Sequence, residues 1–276
     1  MKLFVTDLDK TFLQSDLTIT QESIATWNKM VRSGYLMSVA TARSLKKSLE
    51  FLAGLQLEIP MIFLDGAMVA TSKGEIIHLA AIEKELAKEI IAVAKKECGI
   101  EPFVVGLEDS TATERFLYPK QLNEFQQQLI AAYKNDNRLR ATSTIEPLEK
   151  NLKIVFMGKK DAMLQLEDVL KEAFGEKIEI KNAQDVYFDC YFLTVLHPLG
   201  DKAHALKHLL EYTQTTSSEL CVFGDSHNDI AMFKKASKSV AVANAIEELK
   251  QHATVVLPHT NDQDGVAKFL QKNYLG

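Results

Sequence analysis

Lys2-Leu3-Phe4-Val5-Thr6-Asp7-Leu8-Asp9-Lys10-Thr11 is the stretch on which the fold turns. Its short apolar run predicts a buried strand. The run ends in two carboxylates one residue apart, with a hydroxyl behind them. In an open α/β sheet the carboxyl ends of the strands line the ligand crevice. Asp7 and Asp9 flank Leu8, so both can be presented at that rim. Alone, the same residues would serve as an Asp-rich turn after a strand. Stretches around Lys202 and Asp225 weigh against that plainer reading.

Working outward, the polar residues 14–18 read as a loop or flap. Thr20 caps a helix that carries Gln21 and Glu22 in its first turn, places Ile24, Trp27 and Val31 on one face, and ends at Gly34. Residues 36–40 form a second buried strand with Thr41-Ala42-Arg43 at its tip. Ser44 opens a short helix with Leu45, Leu49 and Leu52 inward, closed by Gly54. Pro60 precedes a third strand, 61–64, ending at Asp65-Gly66. Strands alternating with helices predict an α/β fold, a Rossmann-like doubly wound parallel sheet.

The rhythm then changes. Residues 68–69 and 76–78, around Lys73-Gly74, suggest a hairpin. From Ile82 a helix carries Leu86, Ile90 and Val93 and stops at Gly99. A strand at 103–105, a helix with Leu122, Phe125 and Leu129, a strand at 152–157 and a helix at 163–174 follow, the last stopped by Gly175. Strands at 178–180, 186–188 and 191–196 close the block, the last two spaced as a hairpin. Residues 82–197 thus read as an α+β unit inserted between two scaffold segments, 1–81 and 198–276. From Pro198 the alternation resumes. Asp201 caps a helix with Leu206, Leu209 and Leu210 inward, and strand 220–223 ends in Gly224-Asp225-Ser226-His227-Asn228-Asp229. A helix with Ile230 and Phe233, strands at 240–242 and 254–257, and a final helix with Val266, Phe269 and Leu270 complete the chain.

Composition narrows the function classes. The chain has 276 residues, 46% hydrophobic and 25% charged, with a net charge of −5. That balance is ordinary for a globular protein, and the acidic sign argues against a nucleic-acid partner. No apolar run approaches the ~20 residues of a membrane span. The start runs straight into a strand, which leaves no room for a signal peptide. Cys98, Cys190 and Cys221 lack metal-ligand spacing and read as reduced, mostly buried thiols. A cytoplasmic location is expected.

Four scaffold strands end in groups that would converge on one crevice: Asp7/Asp9, Thr41, Asp65 and Asp225/Asn228/Asp229. Clustered carboxylates repel one another and call for a cation. All-oxygen donors favour a hard ion such as Mg²⁺, which takes one or two carboxylates and a substrate phosphate. A carboxylate nucleophile beside such an ion, with a lysine opposite, suits attack on phosphorus. A second carboxylate two residues on is placed to protonate the leaving oxygen and then deprotonate water.

With these residues in view, the chain resembles the haloacid dehalogenase superfamily, and more narrowly its Cof-type phosphatases with a C2 cap. Asp7-Leu8-Asp9-Lys10-Thr11, Thr41, Lys202 and Gly224 to Asp229 are similar to its four ordered motifs. Ala40-Thr41-Ala42-Arg43, Asp65-Gly66-Ala67, Asn244-Ala245 and Asp264-Gly265-Val266 extend the resemblance nearly end to end. It implies a Mg²⁺-dependent phosphatase acting on small phosphorylated metabolites through an aspartyl-phosphate, with the inserted block as a lid. By the same resemblance Asp7 is nucleophile and metal ligand. Asp9 is the general acid/base, with its backbone carbonyl on the metal. Thr41, the N–H of Ala42 and the N–H of Leu8 hold phosphoryl oxygens. Lys202 neutralises phosphate and nucleophile, Asp225 completes the metal site, Asn228 contacts phosphate and Asp229 orients its neighbours.

Four positions depart from the family pattern. Lys10 stands where glycine is usual, which strains that backbone position or adds charge near the entrance. Ala42 and Ala203 replace glycines, both mild changes. Asp65 replaces asparagine and adds negative charge near a phosphate site.

Taken singly, several residues also have plain readings: Lys202 as a solvated helix residue, Thr41 as a cap, Asn244 as a turn residue and Asp229 as a structural carboxylate. His227 reads as solvent-facing and Arg43 as a salt-bridge partner. Phe103, Phe116, Tyr118, Tyr187 and Tyr191 read as core. Two other functions use related groups. A phosphomutase would pass the phosphoryl group to a sugar. A phosphoaspartate signalling module would be phosphorylated on Asp65 instead of Asp7.

Overall fold

The computed structural model describes residues 2–108, 111–185 and 188–276. It falls into two compact units, one formed by Met1–His78 with Asp201–Gly276 and the other by Leu79–Gly200.

The first unit begins with β1 (Leu3–Thr6), every residue of which is buried. It continues through α1 (Gln21–Arg32), β2 (Leu36–Val39), α2 (Leu45–Phe51), β3 (Met61–Phe63), β4 (Met68–Ala70) and β5 (Ile76–Leu79). In α1 the buried positions are Ser23, Thr26, Trp27 and Met30. Ile24 and Val31, expected inward with Trp27, are only half-buried. The inward hydroxyls are satisfied: Ser23 Oγ donates to Asp264 Oδ1 and Thr26 Oγ1 accepts from Gln271 Nε2. Polar residues on a core stripe are invisible to a hydrophobic pattern.

The inserted unit holds β6 (Ile82–Glu83), α3 (Lys84–Cys98), β7 (Phe103–Leu107), β8 (Glu114–Pro119), α4 (Glu124–Ala132), β9 (Leu139–Thr142), β10 (Lys150–Gly158), α5 (Lys160–Phe174), β11 (Glu179–Asp185) and β12 (Cys190–Leu196). Its sheet runs β11-β12-β10-β7-β8-β9, with β6 also on β10. Strand alternation sorts the side chains by face. Val104, Ile154, Phe156, Leu193 and Val195 pack with α3 and α5. Phe103, Phe116, Met157 and Cys190 pack with Leu129 of α4.

β8 and β9 escape the sequence reading. They pair in parallel, as the intervening helix allows. The charges that make this region look like a loop are buried against each other, with Arg138 Nη1 2.5 Å from Glu114 Oε2. The strand expected at 186–188 includes Val186 and Tyr187, which lie outside the described residues; β12 pairs instead with 179–185.

The chain returns to the first unit with α6 (Lys202–Thr213), β13 (Leu220–Gly224), α7 (Ile230–Phe233), β14 (Lys238–Ala241), α8 (Glu247–Gln251), β15 (Val255–Val256) and α9 (Gly265–Leu270). Five strands form a parallel sheet in the order β15-β14-β13-β1-β2. The winding reverses between β1 and β13, the switch point at which such sheets bind ligands. Asp7 follows β1 and Asp225 follows β13, so both stand at that switch.

β3 corrects one expectation. Instead of extending the parallel sheet as a full strand, it meets the end of β2 at the Ala40–Ile62 bridge. Its ladder runs antiparallel to β4, and β5 completes a three-stranded sheet. The cause is an immediate reversal: Leu64, Asp65 and Gly66 all have positive φ, at 53°, 61° and 117°. Gly66 also touches the start of α6 so closely that a Cβ there would lie 2.2 Å from the Asp201 carbonyl. Gly66→Ala should therefore displace the helix that carries Lys202 and lower stability by about 2 kcal/mol or more. In thermal unfolding the Tm should fall by several degrees. An unchanged Tm would show that this contact yields easily.

Candidate active site

Parallel strands put Asp7, Thr41 and Asp225 at one edge of the sheet, and α6 adds Lys202. Asp201 caps that helix, its side chain accepting from the N–H groups of Ala203 and His204. Lys202 is completely buried, as is Asp229, and Asp7 nearly so. The Lys202 Nζ donates to Asp7 Oδ1 at 2.5 Å and to Asp229 Oδ1 at 2.7 Å. A buried ammonium is tolerated only when paired in this way.

Asp229 has no oxygen to spare. Its Oδ2 accepts from the backbone N–H groups of Asp225 and Ser226 at 3.1 and 3.2 Å. Gly224 makes room for it, since a Cβ there would sit 2.6 Å from the Asp229 carboxylate. The structural reading of Asp229 accounts for every contact it makes. Asp225 accepts from the Thr11 hydroxyl through Oδ1 at 3.0 Å. Among the described residues, neither Asp7 Oδ2 nor Asp225 Oδ2 has a hydrogen-bond donor.

Three other expected site residues hold contacts of their own. Asp9 is bound by Arg43, whose Nε donates to Oδ1 and Oδ2 at 3.0 and 2.8 Å and whose Nη2 lies 2.5 Å from Oδ1. The Arg43 guanidinium stacks on the Phe51 ring at 4.6 Å. Thr41 is fully buried, and its hydroxyl accepts from the Arg43 N–H at 3.1 Å. Ser44, not Thr41, caps α2. Asn228 donates to Asp65 Oδ1 at 3.1 Å and accepts from Ser226 Oγ at 2.8 Å. Leu8 opens the irregular helical turn Leu8–Phe12 that follows β1, and Ala42 lies in the loop after β2. Thr11 was not among the expected site residues, although a hydroxyl two positions beyond Asp9 was its signal.

The acidic groups Asp7, Asp225 and Asp229 bring oxygens within 4.8 Å of one another. Both Asp229 oxygens already accept hydrogen bonds, whereas Asp7 and Asp225 each keep an oxygen without a donor among the described residues, so these two are better placed to hold a cation. The all-oxygen donor set fits a hard divalent ion. Asp9 could join only through its carbonyl, since its carboxylate faces Arg43.

Burial pushes the Asp7 carboxyl well above the usual carboxylate range; Lys202 opposes this, while Asp229 and Asp225 add to it. Asp225 rises to about 6, chiefly by burial and then by the Asp229 charge, with the Thr11 hydrogen bond pulling the other way. Burial disfavours the charged form of Lys202, but Asp229 and Asp7 override it and hold the ammonium above the ordinary lysine range.

A family model described as haloacid dehalogenase-like hydrolase matches residues 4–270. A 5-amino-6-(5-phospho-D-ribitylamino)uracil phosphatase of Bacillus subtilis is 26% identical, covering 99% of this chain and 98% of that protein. An HMP-PP phosphatase of Serratia proteamaculans is 25% identical over 98% of this chain and 94% of its own length. A haloacid dehalogenase-like hydrolase from Bacteroides thetaiotaomicron superposes with a TM-score of 0.81 at 23% identity, covering 99% of both chains.

The Asp225 shift carries a stability consequence. Its carboxyl holds a proton more tightly in the folded chain than in the unfolded one, so stability falls as pH rises from about 4 to about 6. In cation-free buffer at pH 7.5, Asp225→Asn should raise stability by about 2 kcal/mol, the gain fading as pH drops through that window. Thermal unfolding in chelator at pH 7.5 and 4.5 checks this, and equal Tm values for both proteins at pH 7.5 would refute it.

Proposed function

This chain belongs to the haloacid dehalogenase-like hydrolase family, and on that premise we propose that it is a Mg²⁺-dependent phosphatase of small phosphorylated metabolites. The observation that carries the reading is the buried Lys202 between Asp7 and Asp229, with Asp225 alongside and Asp7 Oδ2 open. In this reading one Asp7 carboxylate oxygen attacks phosphorus as the bond to the leaving oxygen breaks, giving an aspartyl-phosphate. Lys202 already fixes Asp7 Oδ1, so the carboxylate is held in one orientation before substrate arrives. Asp7 and Asp225 would hold Mg²⁺, which would keep both carboxyls ionised and withdraw charge from the phosphoryl oxygens.

Asp9 is the acid that protonates the leaving oxygen and the base that then activates water. Its pairing with Arg43 has to open for either step. Thr41, Ala42, Leu8 and Asn228 surround the phosphoryl group, and Asp229 orients Lys202 and the Asp225 loop. The substrates named for the two phosphatase relatives differ from each other, so the class carries over and not the compound. The three cysteines are free thiols, in keeping with a cytoplasmic setting.

Hydrolysis is favoured over phosphoryl transfer to a sugar because Asp9 serves as a base for water. A signalling role on Asp65 is disfavoured because Lys202 contacts Asp7, whereas Asp65 accepts from Asn228.

Phosphate release from a panel of phosphorylated metabolites, with and without Mg²⁺, tests the reading. Wild type should release phosphate only with the ion, and Asp7→Asn should be slower by roughly three orders of magnitude or more. Equal release from both would remove Asp7 from the role of nucleophile. Release from neither would overturn the phosphatase reading itself.

A further inference from the structure

We propose that Lys10 makes this site select substrates whose leaving group carries its own negative charge. The proposal rests on the phosphatase reading above and names the substrate class for the same crevice.

The backbone is the first observation. Lys10 has φ 55° and ψ 11°, a left-handed conformation that strains any residue with a Cβ. This conformation does not depend on the lysine side chain. Asn244 Nδ2 donates to the Lys10 carbonyl at 2.7 Å, and Asn244 Oδ1 accepts from the Asn261 N–H at 2.9 Å. Asn261 Nδ2 in turn donates to the Leu13 carbonyl at 3.0 Å. Glycine would adopt the same loop without strain, so the lysine is not there for the fold.

Charge supplies the second. Five carboxylates gather in and around the crevice: Asp7, Asp9, Asp65, Asp225 and Asp229. Two of the nearby cations are committed, Lys202 to Asp7 and Asp229, and Arg43 to Asp9. Lys10 is exposed, and among the described residues its ammonium has no ion-pair partner. It stands beside Thr11, whose hydroxyl donates to Asp225 Oδ1 at 3.0 Å.

One residue beyond Asp9, which in this reading protonates the leaving oxygen, a four-carbon stem on a fixed backbone point is long enough to meet the leaving group. A neutral polyol offers a hydrated ammonium nothing to pair with. A second phosphate or a carboxylate does, and such a group would otherwise be repelled by the surrounding acids.

The test compares wild type, Lys10→Gly and Lys10→Gln. Inhibition constants of ADP, phosphoglycolate and glycerol phosphate are measured against hydrolysis of para-nitrophenyl phosphate with Mg²⁺. In wild type at least one anionic ligand should bind more tightly than glycerol phosphate, and that preference should shrink about fivefold in both variants. It should also shrink with added salt in wild type and respond less in the variants. A change confined to ADP identifies a second phosphate as the partner, and one confined to phosphoglycolate identifies a carboxylate; either supports the proposal. Lys10→Gly should have an equal or higher Tm. The same preference in all three proteins, or a lower Tm with an unchanged preference, overturns the role of Lys10. Failure of wild type to hydrolyse para-nitrophenyl phosphate, or any member of the metabolite panel, overturns the phosphatase reading and this proposal with it.

Discussion

A lysine ammonium with no access to solvent is the constraint on which this site depends. Lys202 can stay charged there only because two carboxylates reach it, one from the end of β1 and one from the turn after β13. Each carboxylate then has further demands on its surroundings. Asp229 also ties down the N–H groups of Asp225 and Ser226, so the loop that presents Asp225 is set by the residue that neutralises Lys202. Gly224 is required because Asp229 lies where its side chain would be, and Gly66 because the start of α6 presses on it. Two glycines, two acids and a lysine from distant parts of the chain are thus one interlocked arrangement.

A second network holds the loop after β1. Asn244 and Asn261 bind the carbonyls of Lys10 and Leu13. Asp264 Oδ1 accepts from Gln14, Thr20 and Ser23, joining the flap and the start of α1 to the turn before α9. Buried polar groups with every partner in place specify one arrangement of the chain. Asn244-Ala245 and Asp264-Gly265-Val266 stand out in the sequence, and their physical work is to brace this loop.

The site also shows how burial and charge act against stability for the sake of chemistry. Asp7 and Asp225 are held where water cannot fully solvate them and where other acids crowd them, which raises both carboxyls. Such positions are poor for folding and suited to binding a cation and a phosphate.

By itself the sequence determined the parallel α/β scaffold, the strand ends that bear Asp7, Thr41 and Asp225, and the helix capped by Asp201. Those features rest on apolar runs, caps and turn residues, all of which act over a few neighbours. The antiparallel turn of β3 was hidden, because it depends on positive φ at Leu64 and Asp65, two residues that do not advertise it. β8 and β9 were hidden because Glu114 and Arg138 look solvated until they are seen to neutralise each other. The inward face of α1 was misread for a related reason, since Ser23 and Thr26 are buried only because Asp264 and Gln271 meet their hydroxyls. In the site, motif order pointed to Lys202 but not to its burial. Only the tertiary structure decided that both Asp229 oxygens are engaged, that Arg43 holds Asp9 and that Asn228 holds Asp65. A hydrogen bond or ion pair is short-ranged and directional, so which partner each polar side chain finds is settled only when segments far apart in sequence meet.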